Sequence, residues 1–200
     1  MPPPAELAAA SHPVLTGLVY GATALYAAAF VAAAFRPAWG RPVLALGALA
    51  HLAGAVGRGL AIEFFPLTNK MESFSAAALA LALVAALVWR NDRLQDLPMV
   101  GTALAAMAAA LSFPQHLAWP PPLMRTVWYP NHLPLSFLAY AAWAAAAAAA
   151  LGWLRDRDAA ALSRIDRLAL WGFGLWSLST IAGGFWGVVA WAPTSCGTPR

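Results

Sequence analysis

Charge is scarce in this chain. Asp, Glu, Lys and Arg make up 10% of its 200 residues, where a soluble domain carries about 25%. That shortage excludes a soluble globular enzyme, a disordered tail and a nucleic-acid binder, so no nucleic-acid partner is expected. Cysteine is almost missing: the single Cys196 excludes an internal disulfide framework and any CxxC redox or zinc motif. There are four histidines, each informative in so apolar a sequence. No Ser/His/Asp triad, Walker loop or HExxH run is present. The opening Met-Pro-Pro-Pro stretch has no Lys or Arg before the first apolar run, so that run reads as a retained span rather than a cleaved signal peptide.

Apolar residues fill the space left by charge. They are 62% of the chain, with mean hydropathy +0.65, enough for six spans of roughly 20 residues. The expected fold is all-α, a polytopic membrane helix bundle with spans at about 14–34, 43–62, 74–89, 97–113, 133–154 and 168–191. Helices are expected because lipid leaves unpaired backbone groups unsatisfied. Residues 1–13 form an outer tail, and 192–200 an atypical C-terminal tail. Pro134 is expected in the first turn of span five, where its missing N–H costs nothing.

The pI near 9.8 accompanies a net charge of only +4. Arg36, Arg41, Arg90, Arg93, Arg155, Arg157, Arg164 and Arg167 fall on one side of the predicted bundle, and Arg58, Lys70, Arg125 and Arg200 on the other. Eight against four puts the first set in the cytoplasm and the N-terminus outside. Trp39, Trp89, Trp128, Trp153 and Trp191 lie near predicted span ends, as interfacial anchoring expects. The alanine run 144–150 gives span five a smooth surface for close packing.

Few ionisable groups enter the spans. His51 falls near the middle of span two, where a polar group needs a partner or a function. Arg58 follows seven residues later, about two turns, on the same face and nearer the outer surface. A neutral imidazole with a guanidinium above it suits haem, iron on the ring nitrogen and a propionate on the cation. A His bonded to another helix, with Arg58 snorkelling outward, accounts for the pattern equally well. In the segment 65–73, Pro66 and Asn69 make a turn, and Glu72 and Ser73 are placed to cap span three. His132 lies at the outer end of span five, within reach of a group presented outside; an interfacial anchor is the plainer reading. His12, His116 and Arg125 stay unassigned.

Taken together, these residues resemble the CcsA/ResC family, the haem-handling membrane subunit of the system II cytochrome c synthetase. The family's membrane His, then Arg, then Pro-x-x-Asn-x-Tyr-Glu-Ser segment reads here as His51, Arg58, Pro66, Asn69, Glu72 and Ser73, with Met71 in place of the Tyr. His132 fits the outer His of the helix two before the family's Trp-rich motif, and Tyr140 a Tyr of that helix. Gly184, Trp186 and Trp191 fit the approach to the motif. The likeness covers residues 40–191, and the 66–73 block is its most specific part.

The resemblance implies haem b held in the membrane by His51 and displayed outside by His132, each with a second His. Two thiols of a CxxCH apocytochrome c would then add to the haem vinyl groups, with a CcsB/ResB-type membrane partner completing the synthetase. A bacterial inner membrane is the implied location. The Trp-rich motif itself and the second histidines are missing after Trp191. Inserting one G before the codon of Ala192 lets the tail read Gly-Ser-Tyr-Phe-Leu-Trp-Asp-Pro-Lys. The expectation is therefore a frameshifted tail and a chain inactive alone, with no role for Cys196. A small multi-pass transporter or export component without cofactor is the alternative, though it gives the 66–73 block no task. A bis-His electron-transfer cytochrome b fits poorly, because His51 and His132 differ in expected depth.

Overall fold

The computed structural model describes residues 12–191. Six helices in it are long and apolar enough to cross a membrane: α1 (Pro13–Phe35), α2 (Pro37–Ile62), α3 (Lys70–Val88), α4 (Arg93–Leu111), α5 (Trp128–Asp156) and α6 (Ala159–Trp191). A short 3₁₀ turn, Pro122–Met124, lies in the long loop before α5. No strand occurs among the described residues. The chain is a polytopic helical bundle, and its apolar helices belong in a lipid bilayer. Residues 1–11 and the tail 192–200, with Cys196 and Arg200, lie outside the described residues.

Small residues set the packing. α1 packs on α2 and α4, α3 on α4 and α5, and α5 on α6. The core is largely alanine, with Ala22, Ala29 and Ala33 of α1, Ala78, Ala82 and Ala85 of α3, Ala103 of α4 and Ala145 and Ala148 of α5 all in one buried cluster. Lipid tails are as apolar as any core, so close van der Waals approach rather than water exclusion favours these contacts. The alanine run of α5 is used in this way, with Ala145, Ala146, Ala148 and Ala149 all buried. At Gly152 a Cβ would stand 2.5 Å from the Gln95 side chain.

Side-chain ties fix the two ends. At one, Arg155 of α5 donates to both carboxylate oxygens of Asp92, at 3.1 and 3.0 Å. Asp92 also caps α4 by accepting from the Leu94 N–H. At the other, the Tyr129 hydroxyl donates to the Leu67 carbonyl at 2.6 Å, and Trp186 Nε1 donates to the Leu123 carbonyl at 2.7 Å. By the arginine bias we call this second end outer. Arg58 is buried within α2.

Several helices begin earlier than hydropathy predicts. α3 starts at Lys70 rather than 74, because Asn69 accepts from the Glu72 N–H as N-cap. The cap is thus Asn69, not Glu72 or Ser73. α5 starts at Trp128 rather than 133, so Pro134 lies inside the helix and not in its first turn; it leaves the Pro130 carbonyl without its helical donor. Trp89 is not a lipid-facing anchor either. It is 9% exposed and packs against Gly40, where a Cβ would stand 2.6 Å from its ring.

Candidate functional site

His51 is the centre of the buried polar chemistry. Successive helical turns set Leu44, Ala48, His51 and Arg58 on the buried face of α2. The imidazole is 2% exposed. Its Nδ1 lies 3.0 Å from the Tyr26 hydroxyl of α1, and its Nε2 2.6 Å from Ser75 Oγ of α3. In the Nδ1–H tautomer, the ring donates to Tyr26 and Ser75 donates to Nε2. Three helices thus meet on one ring, and each nitrogen has a partner.

A cavity of about 550 Å³ opens beside it between α2 and α3, within the usual size of a small-molecule site. His51, Ser75, Arg58 and Glu72 give it one polar wall, and Val56, Leu60, Phe65 and Leu79 line the apolar remainder.

Arg58 and Glu72 close the outer side of the cavity. Arg58 Nε and Nη2 both donate to Glu72 Oε1, at 3.1 and 2.9 Å. Nη1 donates to the Gln115 carbonyl at 3.3 Å, and Nη2 also to that of His116 at 2.9 Å. Glu72 Oε2 accepts from the Thr68 N–H at 2.7 Å and its hydroxyl at 2.9 Å. Arg58 therefore does not snorkel outward; it is 4% exposed and pins the 114–118 loop by its carbonyls. Pro66 and Asn69 shape the turn below this network, and Ser73 Oγ donates to the Asn69 carbonyl at 3.1 Å.

His132 stands apart, between α5 and α6. Its Nδ1 is 2.8 Å from the Ser179 carbonyl, which fixes Nδ1 as the protonated nitrogen. Among the described residues, Nε2 has no hydrogen-bond partner. Gly183 makes room for the ring: a Cβ there would stand 2.8 Å from its Cε1 and Nδ1. Trp186 lies nearly parallel at a centroid distance of 6.1 Å, and Ser136 and Ser179 join below through their hydroxyls at 2.5 Å.

The structure thus gathers His51, Arg58, Pro66 and Glu72 around one cavity, keeps Asn69 and Ser73 in the adjoining helix cap, and leaves His132 outside it. Tyr26, Ser75, Thr68, Ser179 and Gly183 complete the two settings and escaped the sequence reading. Polar residues inside apolar runs, Ser75 and Ser179, were the available signal. Gly184 faces open space, and the close approach belongs to its neighbour Gly183. Tyr140 is half exposed and packs at a tilt against Trp143 and Trp176 rather than against either His.

Haem b fits this frame in part. The cavity has the volume, the apolar lining and an imidazole at its wall, and Tyr26 holds the opposite ring nitrogen as an outer partner does for a ligating His. Arg58 fits less well, because four of its hydrogen bonds already go to protein acceptors. No protein-family model and no curated protein matches the chain.

Proposed function

We propose that this protein is a haem-handling membrane subunit for cytochrome c assembly, binding haem b and delivering it for attachment to apocytochrome c. The observation that carries the reading is the cavity between α2 and α3 with His51 at its wall. His51 and His132 are single imidazoles; no three His, Cys, Asp or Glu gather among the described residues. A lone imidazole suits an iron already chelated by a macrocycle. Bound haem would supply the vinyl groups that take up the two thiols of a CxxCH apocytochrome.

The residues of this chain do the holding. His51 Nε2, held here by Ser75, is the nitrogen that would be offered to a haem iron, with Tyr26 keeping the ring oriented. Arg58, ion-paired with Glu72, stands at the outer wall of the cavity and would reach a propionate only by releasing the Gln115 or His116 carbonyl. His132 offers Nε2 from a ring set by Ser179, with Trp186 beside it. A CcsB/ResB-type partner and a bacterial inner membrane belong to the same proposal.

The test is to purify the chain in detergent and record its visible spectrum and pyridine haemochrome. Haem b at near one equivalent, lost in His51→Ala and retained in Arg93→Gln, supports the reading. Equal haem in wild type and His51→Ala overturns the site.

A second reading is a transporter or export component without cofactor. It is favoured by the satisfaction of both His51 nitrogens within the protein. It expects no haem in any preparation and lost transport in His51→Ala.

A further inference from the structure

At the end opposite the Arg58 cluster, three arginines converge on a groove that the haem reading leaves unused. Its volume is about 280 Å³. Arg164, Arg167, Leu168 and Trp171 of α6 line one side, at helical spacings that put them on one stripe. Leu87, Val88, Trp89 and Arg90, where α3 ends, line the other. No carboxylate lines the groove. Asp96 lies past Arg164 in an adjoining recess, committed to the N–H groups of Arg90 and Asp92.

Arg164 supplies the second observation. Its Nε is buried and has no hydrogen-bond partner among the described residues. A buried donor without an acceptor is costly, and neither Arg164 nor Arg90 makes an ion pair among those residues. Arg167 donates only to Ser163, a weak neutral acceptor, at 2.8 Å. The groove therefore gathers three guanidinium groups with no carboxylate in its lining, above an apolar floor.

We infer that this groove binds the phosphate of an anionic phospholipid, with the acyl chains along Leu87, Leu168 and Trp171. α6 packs chiefly against α5, so the groove between α3 and α6 is open sideways to lipid. The arginine bias sets it in the cytoplasmic leaflet, where basic pockets between helices take anionic headgroups. Planar guanidinium groups match phosphate oxygens in pairs.

The test uses the whole chain in nanodiscs of phosphatidylcholine alone or with phosphatidylglycerol, and native mass spectrometry of retained lipid. Each arginine adds about fivefold to anionic-lipid affinity. Wild type is expected to retain phosphatidylglycerol selectively and to melt higher in its presence. Arg164→Gln/Arg167→Gln loses more than about tenfold of that selectivity. The exposed single variant Arg167→Gln gives a partial loss and guards against misfolding of the double variant. Arg36→Gln/Arg157→Gln, with basic residues of the same end outside the groove, keeps the selectivity. Equal retention by wild type and the double variant overturns the site, as does equal loss in the control pair. If inorganic phosphate raises the melting temperature as much as phosphatidylglycerol does, the ligand is the free anion and the lipid assignment fails.

Discussion

Arg58 sets two of its nitrogens on a single oxygen of Glu72, at 3.1 and 2.9 Å, with both side chains almost wholly buried. The other carboxylate oxygen is filled by Thr68, so this is a satisfied charge pair and not an isolated cation. Breaking one partner of such a pair costs about 3–5 kcal/mol, while replacing both by apolar groups is near neutral. Glu72→Ala is therefore expected to lower thermal stability in detergent far more than Arg58→Met/Glu72→Leu does. A double variant at least as unstable as Glu72→Ala contradicts the pairing.

The two hydrogen bonds of His51 make separable predictions for haem affinity. Tyr26→Phe removes the orienting partner and should weaken binding about 10–100-fold, as such outer partners do. Ser75→Ala frees Nε2 and should bind haem at least as well as wild type. Titration of the apoprotein followed at the haem absorbance band distinguishes them. Weaker binding in Ser75→Ala than in Tyr26→Phe contradicts the assignment of Nε2 to the iron.

Gly183→Ala would place a methyl group 2.8 Å from the His132 ring. Overpacking of this kind costs about 1–3 kcal/mol, and the ring must leave the Ser179 carbonyl. The expected result is a lower melting temperature with His51-bound haem unchanged, because the two histidines share no partner. Gly184→Ala, at a position facing open space, should be silent. Equal damage from both variants would place the sensitivity elsewhere.

Acid should loosen the end of the bundle where α5 reaches α4. Burial alone would raise the Asp92 carboxyl, but hydrogen bonds from Arg155, the Leu94 N–H and Gln95, with the Arg155 charge, hold it below its ordinary 3.8. A depressed carboxylate stabilises the fold above its unfolded-state value. That stability is lost as pH falls below 3.8 and through the lower folded-state value. Amide exchange at the start of α4 should rise over that acid range in wild type. In Asp92→Asn it should already be raised at neutral pH, with a weaker pH dependence. The contribution is modest, since the pair lies in solvent.

Hydropathy made the six spans legible because a span is a property of consecutive residues. What it missed depends on tertiary contact. The polar start of α5, Trp128 to His132, reads as loop by composition, yet it is helical and anchored by Tyr129 on the Leu67 carbonyl. His51 stood out as an imidazole in an apolar run. Tyr26 and Ser75, 25 and 24 residues away, gave no sign of meeting it, since the rotation of one helix against the next is not written in either. Arg58 and Glu72 were each visible, but their pairing across 14 residues was not. A buried Arg and a snorkelling one have the same sequence neighbours. Gly183 shows the limit most sharply. Gly183 and Gly184 are alike in sequence, and only packing decides which one lies under the His132 ring.

The attachment of α6 to the bundle chiefly through α5 has a consequence for biosynthesis. Every other principal helix contact is complete within α1 to α5. When helices enter the bilayer in chain order, α1 to α5 can pack before α6 arrives, and α6 then docks through the most extensive helix pairing among the described residues. Until α6 docks, His132 lacks the Ser179 carbonyl and the Trp186 ring that hold it.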